Sequence, residues 1–365
     1  MADEPSVVSA IDAGVATLTL NRPKSINALD QSMVTVMDEM LRDWAADPQV
    51  NAVVLTGAGE RGLCAGGDIV AIHRDASALS GGAADDSEAA ASPSAAFWRD
   101  EYRLNADIAR YPKPYVAIMD GIVMGGGVGI SAHANTRIVT DRTRLAMPEV
   151  GIGFVPDVGG THLLARVPDN LGIYAGLTAG QLSGADAIAL GLADHYIPAD
   201  DLDAFRQAIG ETSLDEAIAK YAQQPPESTI AAQRDWIREA FSAETVGEII
   251  DRCRAVGTEE ADKAAATIAG KSPLALAVAL RSLRDETPSL VETLKREYRV
   301  SLRSLLNPDM AEGIRAQVID KDRNPAWRHT GHSAVTSAEV DAFFAPLSDG
   351  MELTINVAPQ EDSSV

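Results

Sequence analysis

Residues 115–161 read YVAIMDGIVMGGGVGISAHANTRIVTDRTRLAMPEVGIGFVPDVGGT, and this stretch decides the fold. An apolar run at 115–119 enters Gly125-Gly126-Gly127-Val128-Gly129, after which apolar residues recur at helical spacing through Ile130 and Ala134. The pattern predicts strand, glycine turn, helix. Glycines at such a turn leave bare backbone open to a ligand. The first N–H groups of the following helix lack intrahelical acceptors, so a ligand oxygen carrying negative charge is stabilised there. About twenty residues on come two carboxylates, Glu149 in Met147-Pro148-Glu149 and Asp157 in Pro156-Asp157-Val158-Gly159-Gly160. Fixed N–H donors with carboxylates nearby are the parts that chemistry on a carbonyl needs.

A second unit of this kind lies upstream. Residues 7–11 and 15–20, joined by Asp12-Ala13-Gly14, predict a hairpin; a helical pattern begins after Asn27-Ala28-Leu29-Asp30, and 50–56 is an apolar strand. That strand runs into the glycine loop at 57–68, again followed by helical spacing at Ile69 and Ile72, which offers another backbone N–H near Gly67. Two such units predict a pair of donors. The Ala-, Ser-, Gly- and Asp-rich stretch 77–94 is expected to be a mobile surface insertion. Residues 97–111 predict a helix with Glu101, Asn105 and Ile108 on one face. Downstream, 177–193 is helix-like and 193–197 a short strand. After a Pro-rich loop at 223–228 the pattern is helical near 243–256, 258–270, 273–286 and 288–305. Three parts are expected: a core at 5–200, a helical region at 201–345, and a flexible tail at 346–365.

Composition narrows the partners. Over 365 residues, 31 Lys plus Arg face 53 Asp plus Glu, a net charge of −22, which disfavours nucleic acid and anionic membranes. An anionic ligand therefore needs a local cationic or N–H pocket. The two cysteines, Cys64 and Cys253, make no disulfide framework, and without a CxxC or Cys/His cluster no metal site is expected. The acidic start of the chain and the lack of an apolar run of roughly 18 residues predict a cytoplasmic protein, neither secreted nor membrane-bound.

Each candidate also has a plainer reading. Glu149 can be an acid at a helix start, Asp157 a turn residue, and Glu101 an exposed helical charge. Gly127-Val128-Gly129-Ile130-Ser131-Ala132 matches GxGxxA, but a separate glycine loop precedes it and the acid follows a proline, which weakens a dinucleotide reading. Neither HExxH nor GxSxG occurs, so zinc-protease and serine-hydrolase readings lack their marks.

The motifs together resemble the crotonase (enoyl-CoA hydratase/isomerase) superfamily: Asn21-Arg22-Pro23 with Asn27-Ala28-Leu29, Cys64-Ala65-Gly66-Gly67-Asp68, Lys113-Pro114, Gly125-Gly126-Gly127 and Pro148-Glu149. Within it the chain is most similar to the branch of 3-hydroxyisobutyryl-CoA hydrolases. The carriers are Arg99-Asp100-Glu101-Tyr102 with Asn105, Pro156-Asp157-Val158-Gly159-Gly160, Glu297-Tyr298-Arg299, and the run from Glu312 to Asp322. Enoyl-CoA hydratases of the superfamily carry a glutamate where Gly129 stands; here that acid is missing and Asp157 is present. Met310 and the 77–94 insertion depart from the branch without touching a proposed catalytic position.

The resemblance implies an α/β spiral of ββα units followed by a helical C-terminal region. It implies hydrolysis of a short branched β-hydroxyacyl-CoA thioester, 3-hydroxyisobutyryl-CoA first, with CoA part of the substrate and no cofactor. Gly67 and Gly126 would form the oxyanion hole. Glu149 would be nucleophile or general base, and Asp157 would share the catalytic work. Glu101, with Gly126, Glu149 and Asp157, would bind the acyl group. CoA would meet Arg22, Lys24, Ala65, Gly66 and Asp68. A homo-oligomer is expected, as relatives associate. The alternatives are an enoyl-CoA hydratase/isomerase, disfavoured by Gly129, and a non-catalytic acyl-CoA-binding protein, disfavoured by the two retained carboxylates.

Overall fold

A computed structural model describes residues 4–82, 84–285 and 289–356. Its strands are β1 (Val7–Asp12), β2 (Val15–Leu20), β3 (Ala52–Gly57), β4 (Tyr115–Met119), β5 (Ile122–Met124), β6 (Thr136–Val139), β7 (Arg144–Ala146), β8 (Leu182–Ser183) and β9 (His195–Tyr196). Ala13 and Gly14 both take positive φ, the handedness a two-residue turn needs to match strand twist, so β1 folds back antiparallel on β2. The larger sheet then runs parallel in the order β1-β2-β3-β4-β6-β9; β5, β7 and β8 form a small second sheet. Every residue of β4 is buried because both faces of the sheet are covered. Tyr115, Ala117 and Met119 join the main core with Met33, Met37 and Leu41. Val116 and Ile118 pack instead on Phe205, Ala208 and Ile209 of the helix Leu202–Glu211.

The helices that carry the site begin where a side chain caps them. Asp30 accepts from the N–H of Met33 to start α1 (Gln31–Ala46), and Asp68 accepts from Ala71 to start α2 (Ile69–Leu79). The stretch 77–94 corrects the expectation of a mobile insertion. It is folded wherever described: α3 (Asp86–Ala90) opens with a capping box from Asp85 and Glu88, and Ser92 caps α4 (Pro93–Ala109). Ala89 is fully buried, Arg303 pairs with Asp86 at 3.0 Å, and Ser94 bonds Asp75. Small side chains here allow close packing of helices. Ala83 lies outside the described residues.

Other boundaries moved. The helix after the central glycines, α5 (Gly126–Gly129), is a single turn; the chain then returns at once to β6, where Asn135 accepts from the N–H of Tyr115. The 177–193 segment divides into the helix Leu171–Thr178, β8 and the helix Gly184–Ala189, because Ser183 and Asp186 form a capping box in its middle. The later helices are Val246–Val256, Glu259–Ala269, Pro273–Arg284 and Leu290–Leu305, close to the periodic segments. The flexible tail expected from 346 is held as far as residue 356: Leu347, Leu353 and Ile355 are buried, Arg299 pairs with Glu352, and Arg103 donates to the carbonyl of Thr354. Residues 357–365 lie outside the described part. No described helix is long and apolar enough to cross a membrane.

Replacing Ala89 by Asp should bury an unpaired charge and unseat α3. Limited proteolysis is expected to cut this variant within 80–95 under conditions that leave the parent whole. Equal resistance of the two proteins would show that the segment is not docked as described.

Candidate active site

Strand register brings the two glycine turns together. The loop after β3 lies along β5, with Cys64 paired in parallel to Val123; the N–H of Cys64 donates to Ile122 and that of Met124 to Cys64. Three residues further along each segment stand Gly67 and Gly126. They are therefore neighbours: a β-carbon on Gly126 would lie 3.4 Å from the nitrogen of Gly67, and one on Gly66 would lie 3.6 Å from that of Gly126. Neither N–H has a partner among the described residues. Gly125 permits the approach, since its φ of 49° and ψ of −119° suit only glycine. Two unpaired N–H groups side by side at a cavity wall are the geometry of an oxyanion hole.

The cavity holds about 410 Å³, and its lining includes three carboxyls. Glu101 of α4 is 2% exposed, Glu149 6% and Asp157 5%. The exposed reading of Glu101 and the solvated reading of Glu149 are thus corrected; Glu149 does open the short helix Glu149–Ile152 and Asp157 does sit in a turn, but both are buried. A β-carbon on Gly126 would fall 2.4 Å from Glu101 Oε1, and one on Gly125 would fall 2.8 Å from Glu149 Oε1, so both carboxyls lie against the glycine turn. Glu101 Oε1 and Glu149 Oε2 are buried without a hydrogen-bond partner. The hydroxyl of Tyr102 donates to Asp157 Oδ2 at 2.7 Å and contacts Ser301 at 2.8 Å.

Electrostatics follow from burial. Desolvation, then the charge of Asp157, pushes Glu101 well above the usual carboxylate range. Glu149 is raised by burial first and then by Asp157, Glu297 and Glu101. Asp157 is pushed up to about 8 by burial, against the lowering bond from Tyr102 and with a further rise from Glu297. These carboxyls cannot all be charged together, so some hold protons at neutral pH and can donate them. Proton-holding acids are therefore gathered in one apolar pocket.

The loop carrying Asp157 is strapped on all sides. Val158 has a φ of 53°, a strained conformation for a β-branched residue, and its carbonyl contacts His133 Nε2 at 2.8 Å. Glu297, buried in the helix Leu290–Leu305, accepts from the N–H of Gly159 at 2.7 Å and of Thr161 at 3.1 Å. Burial raises Glu297 to about 7 while these bonds hold it down. The sequence showed Glu297 only as part of a family motif, because a contact spanning 138 residues leaves no local pattern.

The remaining expectations divide. Ala65, Gly66 and Gly67 line the cavity, but Arg22, Lys24 and Asp68 do not. Arg22 is committed within the protein, to Asp68 at 3.4 Å, to Asp30 at 3.2 Å and to the carbonyl of Ala28. Lys24 is exposed on the surface. The space at residue 129 is filled too: a β-carbon on Gly129 would meet Val158 Cβ at 2.7 Å and the Asn105 amide at 2.9 Å. Met310 lines the cavity and so touches the site after all. Phe97, Trp98 and Phe154 form its apolar wall, the last two stacked at 5.5 Å. Only helical periodicity marked α4 as amphipathic; nothing local marked Phe154 or Lys271, which also line the cavity. No cluster of three or more metal-ligating side chains occurs among the described residues.

Known proteins resemble this chain along nearly its whole length. The model of the enoyl-CoA hydratase/isomerase family matches residues 15–344. A Xenopus tropicalis protein named 3-hydroxyisobutyryl-CoA hydrolase, mitochondrial, is 38% identical over 92% of this chain and 87% of its own. An Arabidopsis thaliana 3-hydroxyisobutyryl-CoA hydrolase 1 is 36% identical over 94% and 92%. Among solved structures, one titled carnitinyl-CoA dehydratase from Mycobacterium thermoresistibile superposes with a TM-score of 0.90 at 53% identity, covering 96% of this chain and 99% of that one. Another, titled enoyl-CoA hydratase from Rhodobacter sphaeroides 2.4.1, gives 0.87 at 40%, covering 96% and 100%. The frog protein's name is mitochondrial, so the cytoplasmic expectation draws no support from it.

Gly129→Glu should not install a hydratase. Overpacking against Val158 and Asn105 should cost about 1–3 kcal/mol, read as a lower denaturation midpoint, with no gain of enoyl-CoA hydration. Tyr102→Phe removes a bond that lowers the Asp157 pKa, so the limb of the pH–rate profile that reports Asp157 should move to higher pH by roughly one unit. An unmoved limb would take Asp157 out of the titrating step.

Proposed function

The chain belongs to the enoyl-CoA hydratase/isomerase family, and on that premise we propose that it hydrolyses a short branched β-hydroxyacyl-CoA thioester, 3-hydroxyisobutyryl-CoA, to the free acid and CoA. One observation carries the reading: paired free N–H groups at Gly67 and Gly126 face a cavity whose polar depth consists of Glu101, Glu149 and Asp157. The names of relatives sharing 36–38% identity support the substrate.

In this reading the thioester oxygen accepts from both N–H groups. Negative charge gathers there as the carbonyl carbon becomes tetrahedral. One such donor is typically worth roughly 10²–10³ in rate. Glu149 either attacks the carbonyl carbon itself, giving an anhydride that a water molecule then cleaves to the free acid and regenerated Glu149, or takes a proton from a water that attacks that carbon. The C–S bond breaks, and a protonated carboxyl, Asp157 or Glu101, returns a proton to the leaving sulfur. Asp157 and Glu101 also take the substrate's hydroxyl, the polar group that separates it from a plain acyl chain.

The titles of two similar solved structures raise addition or removal of water at a double bond as a second reading. That chemistry uses a pair of carboxylates flanking the acyl chain, and the position of one is Gly129, whose side-chain space Asn105 and Val158 occupy.

Purified protein with 3-hydroxyisobutyryl-CoA should release free thiol, while the absorbance of a short enoyl-CoA stays constant. Glu149→Gln should keep thioester binding and lose roughly 10²–10⁴ in hydrolysis. Hydration without thiol release would replace the hydrolase reading by the hydratase one, and tight binding without either reaction would make the protein a binder.

A further inference from the structure

Among the described residues one cation lines the cavity, and no protein group answers it. Lys271 stands between the helices Glu259–Ala269 and Pro273–Arg284. Its Nζ is 3.6 Å from where a β-carbon on Gly151 would sit, over the turn Glu149–Ile152. Its ammonium has neither a hydrogen bond nor an ion pair among the described residues, although Glu101, Glu149 and Asp157 line the same cavity. Burial pushes its pKa down, and no carboxylate acts in the other direction. An ammonium has three donors and loses hydration when half-buried, so an unanswered one at a cavity wall is complementary to something that arrives with the ligand.

Position and charge say which part of the ligand. Lys271 and Val318 are half-buried and Gln317 is exposed, whereas the three carboxyls are buried, so the lysine belongs to the more accessible part of the lining and the acids to the buried part. The inference rests on the acyl-CoA reading above. A 3-hydroxyisobutyryl group carries no charge, so the anions of such a thioester are the phosphates of its CoA moiety. A chain of net charge −22 repels them unless a local cation compensates. Arg22 is already held by Asp30 and Asp68.

We propose that Lys271 is the phosphate anchor of this site: its ammonium takes a CoA phosphate oxygen while the thioester seats between the glycine turns and Glu149. The C-terminal helical region thereby supplies a binding group to a site otherwise built mostly from the α/β core. Attachment is electrostatic and monodentate, since an ammonium acts on phosphate as a point charge.

The test compares Lys271→Met and Lys271→Arg with the parent on three thioesters of one acyl group: CoA, dephospho-CoA and pantetheine. The Met variant should raise KM for the CoA thioester about tenfold, the order expected of one charge-assisted bond. Arg should restore most of it, and KM for the pantetheine thioester, which has no phosphate, should move less than twofold. A penalty that persists with dephospho-CoA assigns the contact to the diphosphate; one that disappears assigns it to the 3′-phosphate. An equal penalty on the pantetheine thioester, or none on the CoA thioester, overturns the proposal. Calorimetry with free CoA needs no turnover: CoA binding weakened by Lys271→Met in a protein that releases no thiol would retain the anchor and remove the hydrolase reading, and unaffected CoA binding would overturn the anchor itself.

Discussion

The site depends on the amide of Asn27. Fully buried and in the left-handed region at φ 55°, this residue accepts from the N–H of Arg22 through Oδ1 and donates Nδ2 to the carbonyls of Ala58, Gly62 and Leu63. Those carbonyls belong to the loop that follows β3. Loop backbone that is buried must find partners somewhere, and one amide answers three carbonyls that no strand reaches. Held this way, the loop can lie along β5 in the one register that sets Gly67 beside Gly126. A slip by one residue would separate the two N–H groups.

Around that fixed pair, the rest of the structure removes water and supplies acids. Helix α4 turns Glu101 inward from the same face that buries Asn105 and Ile108. The helix Leu290–Leu305 closes over it: Tyr298 meets Tyr102 edge to face, Arg99 donates to the hydroxyl of Tyr298, and Ser301 reaches Tyr102. No residue of this helix is among those lining the cavity, yet through Tyr102 and Glu297 it holds the loop of Asp157 and bears on how tightly that acid holds its proton. In a low-dielectric pocket such indirect contacts act strongly, because every neighbouring charge is poorly screened.

Gly129 illustrates how one position can redirect chemistry. Its missing side chain is no vacancy: Asn105 and Val158 have closed over it, and the strained backbone at Val158 brings Asp157 to the cavity. In the proposed reading, the second acid of the site stands on the loop after Pro156 and not on the glycine helix. Two carboxyl groups flanking an acyl chain suit water addition; carboxyls gathered near the carbonyl suit attack at that carbon.

The sequence by itself determined the units and their chemistry. Apolar runs ending in glycine loops gave the two strand–turn–helix units, period-3.6 spacing gave the helical second half, and the types and order of Gly67, Gly126, Glu149 and Asp157 gave the candidate site, since backbone conformation and functional groups are local properties. Local reading fails where meaning comes from neighbours: 77–94 lacks large apolar residues yet packs, 347–356 reads as tail yet is anchored by Leu347, Leu353 and Ile355, and Arg22 carries charge already held by Asp30 and Asp68. Only the tertiary structure decided the pairing of the N–H groups, the burial that raises Glu101, Glu149 and Asp157, and the presence of Phe154, Lys271 and Met310 at the same cavity. Contacts between residues more than a hundred apart have no period and no spacing. They are fixed by which helix closes over which strand, and that is settled by packing the whole chain at once.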